Sequence, residues 1–311
     1  MRLGFAVKVL GRPGLKSDDS RRWMNSPHLR VSLGYLEAIF DYLQERRICM
    51  YRISSNIAPY ITHPDMPQFH RQIEECAGEL ERLGRKARAL NLRLSMHPSQ
   101  YIVLNSPREE VYQAAVKDLD YHARFLDAMG LGPEAVVVIH GGGAYGDKQA
   151  AMERFARRYL ELPARVRRRL VVENDEKVFS VSDVLWLHER TGAPVVFDHL
   201  HHRVHDPDGW QTREAVATCL ATWPQGVVPK VHFSSPRTEP RSTGRGESDP
   251  LPWQHGDWID AREFAGFLRE CEGLAFDVML EAKKKDLALL RLREELRGMG
   301  MDVDCCDAER G

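Results

Sequence analysis

Six short apolar runs in this chain each stop at a histidine or an acid. Leu92-Arg93-Leu94-Ser95-Met96 stops at His97 and Ala135-Val136-Val137-Val138-Ile139 at His140. Leu170-Val171-Val172 stops at Glu173 and Pro194-Val195-Val196-Phe197 at Asp198. Pro229-Lys230-Val231 leads to His232, and Phe276-Asp277-Val278-Met279-Leu280 stops at Glu281. Short apolar runs of this kind suit strands buried on both faces of a parallel sheet. A single strand-end acid such as Glu173 is an ordinary surface residue. Six ligand-type side chains at six strand ends answer no demand of folding. They are what a parallel sheet shows when its carboxyl rim carries chemistry.

Strand-like and helix-like stretches alternate along the chain. Strands are expected at 2–7, 48–53, 92–97, 135–140, 170–173, 194–198, 229–233 and 276–281. Helices are expected at 31–46, 69–90, 109–129, 148–160, 181–191, 212–222, 261–271 and 286–297. In the first of these, Leu33, Leu36, Ile39, Phe40 and Leu43 recur at helical spacing. Eight such units close into an α/β TIM (β/α)8 barrel, whose active site lies at the carboxyl face. An open doubly wound sheet would gather its site at one switch point. Ligand candidates on strands three to eight surround an axis and favour closure. The 311 residues show no repeat, low-complexity tract or linker, so residues 1–298 are expected to form one catalytic domain. Residues 299–311 are expected to be a peripheral tail.

The formal net charge of -1 does not announce nucleic-acid binding, but several bound divalent cations would add local positive charge outside that count. Six cysteines without a CxxC pair or framework spacing fit a reduced, cytoplasmic setting. The N-terminus opens into a strand without a signal peptide, and no run of about 18 apolar residues exists to span a membrane.

The ligand candidates are His63, His97, His140, Glu173, Asp198, His201, His232, His255 and Glu281. Imidazole and carboxylate together suit Zn2+ or Mn2+. Nine donors exceed the needs of one ion, and a carboxylate such as Glu173 can bridge two. Two or three divalent ions are therefore expected, Mn2+ first, with Zn2+ or Mg2+ as alternatives. Paired ions clamp the attacking and leaving oxygens of a phosphate. Within Asp198-His199-Leu200-His201-His202, His201 is the favoured ligand, with His199, His202 and His205 left open. The long segment Ser234–Trp258 carries His255 with Arg237, Arg241 and Arg245. Its place after strand seven points these cations at the active face and at phosphate, as do Lys283, Lys284 and Lys285 after strand eight. Arg165, Arg167, Arg168 and Arg169 precede strand five and read as solvated surface on the opposite face.

Taken in order, several stretches resemble the UV damage endonucleases. They include Arg52-Ile53-Ser54-Ser55 with His63-Pro64, Met96-His97-Pro98-Ser99-Gln100-Tyr101, and His140-Gly141-Gly142-Gly143-Ala144-Tyr145-Gly146. Val172-Glu173-Asn174-Asp175-Glu176, Asp198-His199-Leu200-His201-His202, Pro229-Lys230-Val231-His232 and Leu280-Glu281-Ala282-Lys283 follow. The resemblance spans nearly the whole chain. It implies a barrel related to endonuclease IV and the xylose-isomerase-like proteins. It implies a metal cluster, often manganese, and ATP-independent incision of double-stranded DNA 5′ to cyclobutane pyrimidine dimers and 6-4 photoproducts, extending to abasic sites. On it, His97, His140 and Glu173 hold one ion, and Glu173, Asp198, His232 and Glu281 a second. His201 and His255 help hold a third, while His63 and Lys230 match site residues. Glu173, Lys230 and His232 are the expected catalytic residues. Gln100 and Tyr101 match a pair that probes the duplex at the lesion, and damaged bases are cheaper to extrude. Phe5 and Val9 stand where relatives commonly carry Tyr and Asn, which bears on lesion contacts.

The expected chemistry is metal-assisted phosphodiester hydrolysis, with Lys230 neutralising non-bridging oxygens. The expected partner is UV-damaged duplex DNA, met by a monomer without membrane or ATP. The alternatives are a xylose-isomerase-like sugar isomerase or epimerase, since fold alone does not choose a chemistry, and a barrel that binds damaged DNA without cutting it.

Overall fold

The computed structural model describes residues 1–243 and 246–303. Eight strands form one parallel sheet: β1 (Leu3–Ala6), β2 (Met50–Ile53), β3 (Arg93–Met96), β4 (Val137–His140), β5 (Leu170–Glu173), β6 (Val195–Val196), β7 (Lys230–Phe233) and β8 (Asp277–Leu280). Each neighbours the next in sequence, and β8 pairs with β1 through Leu3 and Val278. The ring closes between β6 and β7, where the His232 amide donates to the Phe197 carbonyl at 2.8 Å and Asp198 bridges to His232. The protein is a TIM-type barrel, in which loops after the strands build one face.

The outer helices are α1 (Leu29–Glu45), α2 (Ala77–Ala89), α3 (Glu109–Ala128), α4 (Lys148–Glu161), α5 (Val181–Thr191), α6 (Thr212–Ala221), α7 (Ala261–Glu270) and α8 (Lys285–Gly298). Their buried residues recur at helical spacing. In α1 these include Leu29, Leu33, Leu36, Phe40 and Leu43, so that face covers the sheet. The second helix is shorter than its sequence pattern. Short turns at Pro67–Phe69 and Gln72–Glu75 precede it, and the buried Gln72 side chain ties them down by donating to the Pro59 and Phe69 carbonyls.

Three expectations need correction. Arg169 is not solvated: it is buried and donates to Asp127 and to the carbonyls of Leu131, Gly132 and Ala135. Arg165, Arg167 and Arg168 are exposed. Segment Ser234–Trp258, which carries His255, contains a short hairpin of Arg241–Thr243 with Gly246–Ser248. Cys76, Cys219 and Cys271 are free thiols but Cys49 is disulfide-bonded, so a wholly reduced set of cysteines does not hold. Finally, Val303 is buried and Met301 packs on the core, so the start of the tail is not peripheral. Residues 304–311 lie outside the described residues.

Candidate metal centre

The parallel register sets His140 beside Glu173 at the carboxyl end of β4 and β5. Glu173 is buried, and its two oxygens face two sets of imidazoles. Oε2 lies 3.3 Å from His97 Nε2 and 3.9 Å from His140 Nε2. Oε1 accepts from His232 Nδ1 at 2.8 Å and lies 3.7 Å from His201 Nδ1. Two ligand groups result, His97 with His140 and Glu173, and Glu173 with Asp198 and His232. Each has donor atoms within 4.8 Å of one another, and Glu173 belongs to both.

Local structure aims the remaining donors. Asp198 caps the short helix His199–Val204 by accepting the His201 amide at 2.8 Å. That turn brings His201, three residues on, back over the carboxylate, with Nδ1 3.6 Å from Asp198 Oδ1. The other histidines of the run face elsewhere. His199 stacks on the Phe233 ring at 4.8 Å, and His202 packs against Phe197 and faces Asp206. A backbone bridge between Pro236 and His255 sets the His255 ring, whose Nδ1 lies 3.6 Å from Glu281 Oε2. His97 Nδ1 donates to its neighbour's carbonyl, Pro98 O, at 3.1 Å, which leaves Nε2 bare toward Glu173.

Eight of the nine candidates thus meet at one mouth. His63 Nδ1 accepts the Asp65 amide at 3.3 Å, and its ring packs against Tyr60. Two residues absent from the candidate set complete the centre. Arg52, buried at the third position of β2, donates to Glu281 and lies 3.2 Å from His232 Nε2. Asn174, wholly buried, accepts the Asp198 amide at 2.8 Å and donates to the Asp198 carbonyl at 3.1 Å. Its own carbonyl accepts from His201 Nδ1 at 3.0 Å. The sequence signal for Arg52 was an arginine inside an apolar run; for Asn174 it was an amide directly after the strand-end acid.

Charge follows geometry. Burial alone would raise the Glu173 carboxyl, but the His232 and His140 imidazoles outweigh it and hold it well below the usual range. Burial raises Asp198 to about 6. Burial opposes protonation of His201, yet Asp198, Glu173 and Glu281 raise it to about 9. Burial lowers His232 to about 4, leaving a neutral imidazole suited to ligation. The residues fit divalent ions. Glu173 Oε2, Asp198 Oδ2 and His140 Nδ1 are buried without hydrogen-bond partners, and orphaned buried carboxylate oxygens call for a cation. No thiolate joins them, so the donor set is hard to borderline.

Lys230 departs from its expected role. It is completely buried beneath the cluster, with Nζ unpaired. Burial, then Arg52 and Arg93, push its pKa well below the usual lysine value. Phe5 departs too. It is 0% exposed, and its ring packs edge-on against Tyr51 at 5.4 Å, so it cannot touch a lesion; Val9 is also buried.

Two grooves flank the centre. One, of about 540 Å³, is lined by Gln100, Tyr101, His140, Gly143, Tyr145 and Lys177, among others. Tyr101 is 76% exposed rather than packed on Ile102 and Val103. Gly142 shapes this wall: its φ is +92°, and a Cβ there would lie 2.1 Å from Asn105 Oδ1. The second, of about 530 Å³, is lined by Arg237, Gln254, His255, Glu281, Lys283 and Lys285. Arg241 opens the hairpin, and Arg245 lies outside the described residues.

Fold and site together define a (β/α)8 barrel with a candidate divalent-metal centre at its carboxyl mouth. The chain belongs to the UV-endonuclease UvdE family, which it matches over residues 31–309. It is 38% identical to a UV DNA damage endonuclease of Bacillus velezensis, over 82% of this chain and 77% of that protein. A UV DNA damage endonuclease of Bacillus cereus is 34% identical over 86% of this chain and 81% of its own. Among solved structures, the chain is similar to that of SacUVDE, with TM-score 0.83 and 33% identity over 96% of this chain and 99% of that one. Endonuclease IV from Thermus thermophilus, at TM-score 0.54 and 18% identity over 96% of this chain and 100% of that one, shares the fold alone.

Proposed function

We propose that this protein is a divalent-metal-dependent endonuclease that cuts duplex DNA on the 5′ side of UV photoproducts. Its lesion range covers cyclobutane dimers, 6-4 photoproducts and abasic sites. It works in the cytoplasm as a monomer, in one catalytic domain, without ATP, and manganese is its metal. The observation that carries this reading is Glu173, whose two oxygens face separate ligand groups beside an exposed Gln100-Tyr101 rim. The names borne by the Bacillus relatives support it.

His97, His140 and Glu173 would hold one ion, and Glu173, Asp198, His232 and Glu281 a second, with His201 and His255 serving a third. Bound divalent ions supply Lewis-acid charge and an activated water for phosphodiester hydrolysis. The protein's part is to prepare the place. Burial opposes the charge on Glu281, but the Arg52 guanidinium outweighs it and keeps the carboxyl well below its usual range, and Asn174 fixes the backbone of Asp198. Lys230, completely buried with Nζ unpaired, closes the floor of the cluster. Tyr101 and Gln100 stand where bases displaced by a lesion leave a gap, and an exposed ring stacks on bases of any sequence. Arg237, Lys283 and Lys285 offer the backbone phosphates countercharge along the second groove. The sugar-epimerase alternative has fold in its favour: D-psicose 3-epimerase is similar at TM-score 0.54, but at 12% identity.

The test is protein stripped with EDTA, reloaded with Mn2+ and given UV-irradiated supercoiled DNA. Nicking of irradiated over undamaged plasmid is expected. Equal nicking of both, or none, would defeat the reading.

A further inference from the structure

We propose that Lys8 and Lys285 form a two-lysine clamp for a single DNA backbone phosphate beside the candidate metal centre. The inference rests on the nuclease reading above and adds a residue that neither the motifs nor the ligand groups include.

The backbone carries the argument first. Strand β1 pairs with β8 as far as Phe5 and Leu280, so the chain beyond β1 runs beside residues 281–286. There it makes a tight turn. Val7 has φ +66°, and the Lys8 amide donates to the Ala6 carbonyl at 2.9 Å. This is a γ-turn of the rare, strained hand, and a β-branched residue is the least suited to it. Its neighbours enforce it. The Val7 amide donates to the Arg52 carbonyl at 2.9 Å, and the buried Tyr51 hydroxyl donates to the Val7 carbonyl at 2.6 Å. Two residues on, the Leu10 and Gly11 amides donate to the Asp286 carboxylate at 2.7 and 2.8 Å. The Lys8 backbone is therefore fixed on both sides. Lys285, at φ +50°, is another non-glycine residue in the left-handed region, and it lines the second groove. Such strain persists only where the surroundings over-determine it, and it clusters at functional sites.

The charges give the strain a purpose. Lys8 is exposed and Lys285 half-buried. Among the described residues, no carboxylate lies within ion-pair distance of Lys8, Lys283 or Lys285. The adjacent centre is rich in acids that would repel a phosphodiester, so its approach needs cations. The proximity of the two lysines registers on Lys285. Burial lowers its pKa, Glu281 opposes this, and Arg52 and Lys8 lower it further. Two lysines carried on neighbouring backbone segments beside an open groove would gain from one anion between them.

The test measures affinity of the Mn2+-loaded protein for a short undamaged duplex across a salt series, so it reads the clamp whether or not lesions are recognised. Lys8→Ala is expected to weaken binding ~3- to 10-fold at low salt and to flatten the plot of log affinity against log salt by a fraction of one phosphate contact, since Lys285 still holds the same phosphate. Lys285→Ala should do the same. The double variant should lose less than the product of the two, because both groups hold one phosphate. Lys8→Arg should restore the slope, and Lys16→Ala, exposed on the same segment, should leave it alone. An unchanged slope in Lys8→Ala, or a fully multiplicative loss in the double variant, would overturn the clamp. Failure of the wild type to prefer irradiated plasmid would instead overturn the nuclease reading and leave this comparison readable.

Discussion

Replacing Asn174 with alanine removes no candidate ligand, yet it should weaken the centre. The Asn174 side chain holds both backbone polar groups of Asp198, at 2.8 Å and 3.1 Å. After Asn174→Ala the Asp198 carbonyl still accepts the His202 amide at 3.1 Å, so it loses one of two partners. The Asp198 amide loses its partner in a fully buried setting. A lost neutral hydrogen bond costs about 1 kcal/mol and an orphaned buried donor about 1–3 kcal/mol, so the ion-free protein should lose about 2–4 kcal/mol of stability. Urea unfolding of stripped protein measures that directly. Asp198 also loses its fixed direction, and supports of this kind are worth about 10- to 100-fold in metal affinity. Calorimetric Mn2+ titration reads the second effect. Stability within about 0.5 kcal/mol of wild type together with unchanged Mn2+ affinity would refute the claim that Asn174 positions the ligand.

Three further outcomes follow from the same geometry. Tyr101→Ala should leave thermal stability unchanged, since the ring is exposed, and should reduce the preference for irradiated over undamaged plasmid by about 10-fold, the worth of one stacked base; an unchanged preference would remove Tyr101 from lesion recognition. Mn2+ affinity should depend on pH. In the ion-free protein Asp198 carries a proton below about 6 and His201 below about 9, and both protons must leave before the donors can ligate. Affinity should therefore fall as pH drops through each value, and a flat titration between pH 9 and 5 would contradict this. Arg169→Ala should cost about 2–4 kcal/mol, because three carbonyls and Asp127 lose their donor at the amino-terminal face. Nicking per folded molecule should not change, and a change would mean that this face reaches the site.

The barrel was legible because its signal is repetition: eight apolar runs separated by helical periodicity leave few topologies. Strand-end ligand types were legible for the same reason, since His140 and Glu173 fall into register once their strands are parallel. What the sequence hid was set by partners distant along the chain. Arg52 reads as a charge misplaced in a strand until β7 and β8 bring His232 and Glu281 to it. The choice of His201 over its neighbours His199 and His202 needed the turn at Asp198, which returns His201 to the cluster. Arg169 looked like one more member of a basic run. Its burial depends on three carbonyls between β4 and α3 that composition cannot show. Phe5 and Lys230 misled in the opposite sense. Their spacing matched site positions, but their strand positions turn both side chains into packed interior.

The most direct measurement is anomalous diffraction at the manganese edge from a crystal soaked in Mn2+. The account requires one peak between Glu173, His97 and His140 and another between Glu173, Asp198 and His232, with a different oxygen of Glu173 turned to each. Peaks confined to other surfaces, or a Glu173 carboxylate that touches no ion, would contradict it.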